Sequence, residues 1–214
     1  MSSLHALILT GGPLPSIEVA LPEAQLVIAA DSGGDHAENL GLKVDLIIGD
    51  FDSCSEKAIK RAAESQKFSS DKDVTDLELA LAAAVEKDVA SVTILTSSRG
   101  RLDHSLGNIL VACSERWSDL EIELIVDDHL VKVIRSRTKL KGEPSDLLSI
   151  FALGGTAFGV TSKGLKWELD GIDLVTGSGL TISNEFVLPE AEISIEQGTI
   201  ISVQAFSDKT KPKL

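Results

Sequence analysis

The chain has 214 residues, enough for one large domain or two small ones with a sizeable core. With 43% hydrophobic and 25% charged residues it reads as globular, and a net charge of -13 leaves no overall basic field of the kind nucleic-acid binding needs. No run approaches the ~18 apolar residues of a membrane span, and two cysteines, Cys54 and Cys113, make neither a disulfide framework nor a zinc spacing.

The opening stretch "MSSLHALILTGG" lacks a basic leader region, and its apolar run is short for a secretion signal, so a cytoplasmic setting is expected. It supplies the first predicted strand, "HALILTGG". "AQLVIAADSGG", "VDLIIGDFDS", "SVTILTSS" and "IELIVDD" follow as further short apolar runs. Amphipathic segments lie between them. In "TDLELALAAAVEKD" the residues Leu77, Ala80, Leu81 and Ala84 form one helical stripe, and in "DHSLGNILVACSERW" Leu106, Ile109, Leu110 and Cys113 form another. Strands apolar on both faces, alternating with helices, predict an α/β fold with a parallel sheet wrapped on both sides. After about residue 132 the pattern changes. "VKVIRSRTKLKGEPSD" is basic and turn-rich and reads as a linker, its cations as a solvated face. Beyond it, short alternating runs punctuated by glycine predict a small antiparallel β unit. The closing "SDKTKPKL" is expected to be disordered.

In an open parallel sheet, ligands bind outside the carboxyl ends of the strands. Those ends carry Gly11-Gly12, Asp31-Ser32-Gly33-Gly34, Asp50 with Asp52, and Thr96–Ser98 running into Arg99-Gly100-Arg101-Leu102-Asp103-His104. The "DSGG" stretch reads either as a bare turn or as backbone open to a phosphate. Neither a Walker A loop nor G-x-G-x-x-G occurs. Alternation along an extended segment points Asp50 and Asp52 to one side and Phe51 to the other. Two carboxylates so placed repel unless a cation sits between them. Thr75-x-x-Glu78 fits a capping box, and Asp73 and Asp76 fit first-turn acids, yet their loop can converge on the same crevice. Several carboxylates without His or Cys ligands suit Mg²⁺, and Mg²⁺ with glycine loops and Arg101 points to phosphoryl-type transfer. His104 reads as a candidate base or a first-turn helix residue. Trp167, one of two tryptophans, offers a face for a ring or a cation or else a cap on a core. Trp117 reads as structural.

"AADSGG", "VDLIIGDFDS", "KDVTDLELAL", "GRLDHSLGN", "GLKWELDG" and "ISNEF", in that order and spread over almost the whole chain, resemble the thiamine pyrophosphokinase family. The resemblance implies an N-terminal α/β nucleotide-binding and catalytic domain over residues 1–132 and a C-terminal antiparallel β-sandwich that binds thiamine over residues 140–208. It further implies ATP, thiamine and Mg²⁺ as ligands, diphosphate transfer from ATP to the thiamine hydroxyl, and a homodimer with active sites shared between subunits. No nucleic acid or membrane partner is expected. By position, Asp50, Asp52 and Asp76 match the family's metal and catalytic aspartates. Asp103 matches as catalytic, and Asp31, Ser32, Gly33, Asp73, Thr75 and Arg101 fall on the ATP side. Trp167, Ser183 and Asn184 fall on the thiamine side. The family usually shows Asp-Gly-Gly where this chain has Asp31-Ser32-Gly33, and a more glycine-rich turn at Thr96-Ser97-Ser98-Arg99-Gly100. A pyrophosphokinase for another heterocyclic alcohol, such as a pterin, and a non-catalytic nucleotide- or thiamine-binding module are the alternative readings.

Overall fold

The computed structural model describes residues 4–15 and 21–206. The chain divides into two compact units, one mostly before Asp127 and one mostly after it.

The first unit contains strands β1 (Leu4–Leu9), β2 (Leu26–Ala30) and β3 (Leu46–Gly49), with helices α1 (Gly33–Asn39) and α2 (Glu56–Arg61). β4 (Glu64–Lys67), α3 (Asp76–Glu86), β5 (Val89–Thr96), α4 (Leu102–Ala112) and β6 (Glu121–Val126) complete it. The strands run in the order β4-β3-β2-β1-β5-β6, and every pair is parallel. Leu7, Ile8, Leu9, Ile28, Ile47 and Ile94 are fully buried, as expected for strands covered on both faces. Each such side chain contributes about 1.5–3 kcal/mol by leaving water.

The order of strands decides where a ligand can sit. The chain builds β1 to β4 outward in one direction, then returns to lay β5 on the other side of β1. The connections at the carboxyl end of β1 therefore diverge, and that divergence opens a crevice.

α3 starts as its sequence requires. Thr75 Oγ1 accepts from the Glu78 amide at 3.2 Å, and Glu78 Oε2 accepts from the Thr75 amide at 2.8 Å, a complete capping box. The stripe Leu77, Ala80, Leu81 and Ala84 faces the core. α4 departs from expectation. Its expected core stripe is not buried: Leu106 and Leu110 are 53% and 48% exposed, and Ile109 and Cys113 are only half-buried. The helix turns a polar side inward instead: Ser105 Oγ donates to the Ser97 carbonyl at 3.0 Å and Asn108 Nδ2 to Thr96 Oγ1 at 3.0 Å. β4, sequence Glu-Ser-Gln-Lys, was not foreseen; it is an exposed edge strand with no apolar pattern to betray it.

The second unit is antiparallel throughout, with strands β7 (His129–Ile134), β8 (Thr138–Lys141), β9 (Leu147–Lys163), β10 (Ile172–Leu174), β11 (Asn184–Glu185), β12 (Glu190–Ser194) and β13 (Gln197–Ala205). The 17-residue β9 organises it, pairing with β13, β12, β10 and β11. Leu148, Ile150, Val160, Phe186, Ile193 and Ile200 form its core. The basic stretch expected to be a linker is ordered as β7 and β8. Val131 and Val133 alternate with Lys132, so one face is buried while the cations stay at the surface. The segment 207–214, expected to be disordered, lies outside the described residues.

Candidate active site

A cleft of about 800 Å³ opens at the carboxyl ends of β1, β2, β3 and β5. Gly11, Gly12 and Pro13 line it from the first strand, Asp31 and Ser32 from the second, Asp50 from the third, and Ser97, Arg99 and Arg101 from the fifth. Lys72, Thr75 and Asp76 enter from the loop before α3.

The acids converge at one end. One carboxylate oxygen from each of Asp31, Asp50 and Asp52 lies within 4.8 Å of the others. Simple strand alternation does not bring them together, because β3 ends at Gly49 and the chain turns. Phe51 sits at φ 65° and the Asp52 amide donates back to Asp50 Oδ1 at 3.0 Å. A bulky residue with positive φ is strained, and here the strain folds one carboxylate beside the next. Asp31 also has positive φ, 50°, a conformation that aspartate tolerates better than most residues. Gly49 permits the close approach. At φ 152° it presents no side chain, and a Cβ there would lie 3.2 Å from the Asp31 Cβ and 3.3 Å from Asp76 Oδ1.

The charge among these groups is under-compensated. Asp31 is 8% exposed; its Oδ2 accepts from the Ser53 hydroxyl, while its buried Oδ1 has no hydrogen-bond partner among the described residues. The neighbouring Asp50 charge raises the Asp52 carboxyl above its ordinary range. Burial raises that of Asp76, with Lys72, whose Nζ lies 3.1 Å from Asp76 Oδ1, acting against it. An all-oxygen donor set with an orphaned buried oxygen fits a hard divalent cation.

On the second unit, Trp167 stands 54% exposed, which removes the reading of a core cap. Asn184 is 3% exposed and holds it in place: Nδ2 donates to the Trp167 carbonyl at 2.8 Å, and Oδ1 accepts from the Trp167 amide at 3.1 Å. Lys166 Nζ lies 4.6 Å from the indole centroid and pairs with Glu185 at 2.9 Å.

Family models for the catalytic domain and the vitamin B1 binding domain of thiamin pyrophosphokinase match residues 17–124 and 133–200. A thiamine pyrophosphokinase of Bacillus subtilis is 30% identical over 92% of this chain and 97% of its own length. The chain belongs to the thiamine pyrophosphokinase family. An Arabidopsis thaliana thiamine pyrophosphokinase is 26% identical, over 90% of this chain and 82% of its own. The crystal structure of the Bacillus subtilis protein superposes with a TM-score of 0.80, at 27% identity, over 94% of this chain and 98% of that one. Yeast thiamin pyrophosphokinase, at 18% identity, shares the fold with a TM-score of 0.74 over 98% of this chain and 88% of its own.

Within this thiamine pyrophosphokinase fold the residues singled out in the sequence do not all meet. Asp31, Asp50, Asp52 and Asp76 come together, and Asp31, assigned to the nucleotide from sequence, sits among the acids. Asp73 is exposed and does not line the cleft. Thr75 lines it, but its side chain is committed to the capping box. Gly33 does not line it: a Cβ there would lie 2.2 Å from the Leu9 carbonyl oxygen, so glycine is required for α1 to pack on β1. Arg101 and Asp103 pair with each other through two contacts, 3.1 and 2.6 Å, and the Arg101 guanidinium lowers the Asp103 carboxyl to about 2. His104 lines the cleft beside them. Ser183 is exposed at φ 59°, its amide donating to Ser149 Oγ at 3.1 Å. Trp117 is buried, as its structural reading expects.

Two residues were missed. Lys72 brings a cation into the acid cluster; its place directly before Asp73 in the same stretch was the available signal. Asp127 accepts from Ser97 Oγ at 2.9 Å and from the Ser98 amide and hydroxyl at 2.8 Å each, so it braces the turn after β5. Nothing local in the sequence points from Asp127 to a turn some thirty residues earlier.

Proposed function

We propose that the protein transfers the β,γ-diphosphate of ATP to the hydroxyl of thiamine, giving thiamine diphosphate and AMP. The observation that carries this reading is the convergence of Asp31, Asp50 and Asp52, with Asp76 beside them, in a cleft at the point where the strand order reverses. Asp31, Asp50, Asp52 and Asp76 would hold Mg²⁺. Bound there, the ion would neutralise charge on the transferring phosphates.

The chain's own residues supply position and electrostatics. The cleft would accept the triphosphate beside its acids, and Arg101, which lines the same cleft, offers a guanidinium to it. Asp103, kept ionised by Arg101, acts by orienting that guanidinium and not as an acid or base. The thiamine oxygen attacks the β-phosphorus, the bond to the α,β-bridging oxygen breaks, AMP leaves, and the hydroxyl proton passes to solvent. Phosphoryl-type transfer of this loose kind depends chiefly on alignment and charge neutralisation.

Residues 140–208 are read as the thiamine-binding β-sandwich and residues 1–132 as the ATP-binding domain. Trp167 offers its exposed ring to the cationic substrate. Ser183 and Asn184 were expected to orient the pyrimidine. For Asn184 the bonds to Trp167 support a positioning role through the ring. A homodimer accounts for the outward row of Leu102, Leu106 and Leu110 on α4. The two free cysteines fit a cytoplasmic setting.

The test is product analysis after mixing the protein with ATP, Mg²⁺ and an equimolar pair of thiamine and a hydroxymethyl pterin. Thiamine diphosphate and AMP in equal amounts are expected. ADP with thiamine monophosphate, a pterin diphosphate, or no AMP would each overturn the reading.

A further inference from the structure

Gly11 and Gly12 follow β1 and line the cleft, and side chains from two sides hold their loop. The Gly12 amide is engaged: Ser32 Oγ accepts from it at 3.3 Å. The same hydroxyl lies 2.8 Å from where a Gly11 Cβ would stand, so Gly11 and Ser32 fit only as a pair. From the other side, Arg99 Nη2 donates to the Leu14 carbonyl at 2.6 Å. Gly100, at φ 86°, leaves its Cβ position 2.7 Å from Pro13 Cγ, so the proline ring packs directly on its backbone. Arg99 is itself anchored. Its amide donates to Ser97 Oγ at 3.1 Å, its Nε lies 3.8 Å from Asp127 Oδ1, and Asp127 grips Ser97 and Ser98.

We propose that Ser32 and Arg99 are positioning residues that clamp the Gly11–Leu14 loop from the β2 and β5 sides, fixing it as a preformed wall of the nucleotide end of the cleft. This inference rests on the ATP-dependent reading above. The contacts come from side chains on both sides of the loop, Ser32 after β2 and Arg99 after β5. A wall that is already ordered costs no ordering on binding. It acts on nucleotide affinity, and the acid carboxylates keep their own contacts.

Ser32→Gly, Ser32→Ala, Arg99→Gln and the double variant Ser32→Ala/Arg99→Gln separate the possibilities. Each single variant should raise KM for ATP about 3- to 10-fold, the scale of one lost hydrogen bond to an ordered loop, with kcat and KM for thiamine within about twofold. The double variant should fall short of the product of the two, because both side chains hold one loop. Arg99→Lys should restore part of the loss, since an ammonium can still donate to the Leu14 carbonyl. Two measurements need no turnover: affinity for the non-transferable α,β-methylene analogue of ATP, and hydrogen exchange of the Gly12 amide. Affinity should fall in every variant, and the amide should exchange faster once Ser32 is replaced. Wild-type protein that binds the analogue yet makes no AMP from ATP and thiamine would sink the catalytic reading and leave the clamp testable by these two. Unchanged nucleotide affinity in both single variants, or equal losses for ATP and thiamine, would overturn the clamp.

Discussion

The acid end of the cleft and the Trp167 ledge treat charge in opposite ways. Around Asp31, Asp50 and Asp52 the fold gathers anions, twists Phe51 into a strained conformation to do so, and leaves a buried carboxylate oxygen without a hydrogen-bond partner among the described residues. On the ledge the groups beside the ring are paired: Asn184 bonds the tryptophan backbone on both sides, and Lys166 covers the ring face while pairing with Glu185. Under the function proposed above, the first region calls for a cation from outside, whereas the second already holds one, Lys166, against its ring.

The largest effect should come from the acid end. Asp50→Asn or Asp52→Asn should lower turnover by at least about a thousandfold, the scale of losing a charge-stabilising group, with little change in folding. Because the two act on one ion, Asp50→Asn/Asp52→Asn should be scarcely worse than either single variant. Strictly multiplicative losses, read from kcat, would separate the two carboxylates and break the shared-cation picture.

The ledge should respond more gently and in both directions. Trp167→Ala should raise KM for thiamine several-fold to some tens-fold, matching a stacking and cation–π contribution of about 0.5–2 kcal/mol. Trp167→Phe should recover most of that. Lys166→Met should lower KM for thiamine about two- to fivefold, because the ring face no longer has an occupant of its own. A rise in KM for Lys166→Met would mean the lysine assists binding and the contrast between the regions fails.

How much of this contrast could be read from the sequence depends on the kind of information each residue carries. The strand-end acids were visible because buried apolar runs end abruptly at Asp31 and Asp50, and the capping box of α3 because its signal lies within four residues. The Asp31 contribution to the acid cluster was not visible, since positive φ at one residue redirects its carboxylate without any compositional trace. The α4 stripe was misread for a related reason. Helical periodicity tells which leucines share a face, and the inward bonds of Ser105 and Asn108, made to distant strand ends, decide which face is buried. The basic run at β7 and β8 misled because its charges outnumber a short alternation of buried valines.

The smallest effect concerns pH. Arg101 holds Asp103 at about 2, below its unfolded value, so any stability this pair provides is present above the unfolded pKa and is lost progressively as pH falls from there through about 2. Asp103 is therefore ionised throughout the working range and should not shape the acid limb of the pH–rate profile. Asp103→Asn should lower the profile by lowering ATP affinity and leave its acid-limb midpoint in place; a shifted midpoint would make Asp103 a proton-transfer group.

The claim that the acids form a cation site is tested most directly by titrating Mn²⁺, which is visible by electron paramagnetic resonance, into metal-stripped wild-type protein and into Asp31→Asn. Asparagine tolerates the positive φ at this position, so the variant should keep its fold. Wild type should bind Mn²⁺ saturably and release it to Mg²⁺, and Asp31→Asn should bind at least about tenfold more weakly, the loss expected when a charged ligand is removed from a hard-cation site. Equal binding by the two proteins, or Mn²⁺ that Mg²⁺ cannot displace, would contradict it.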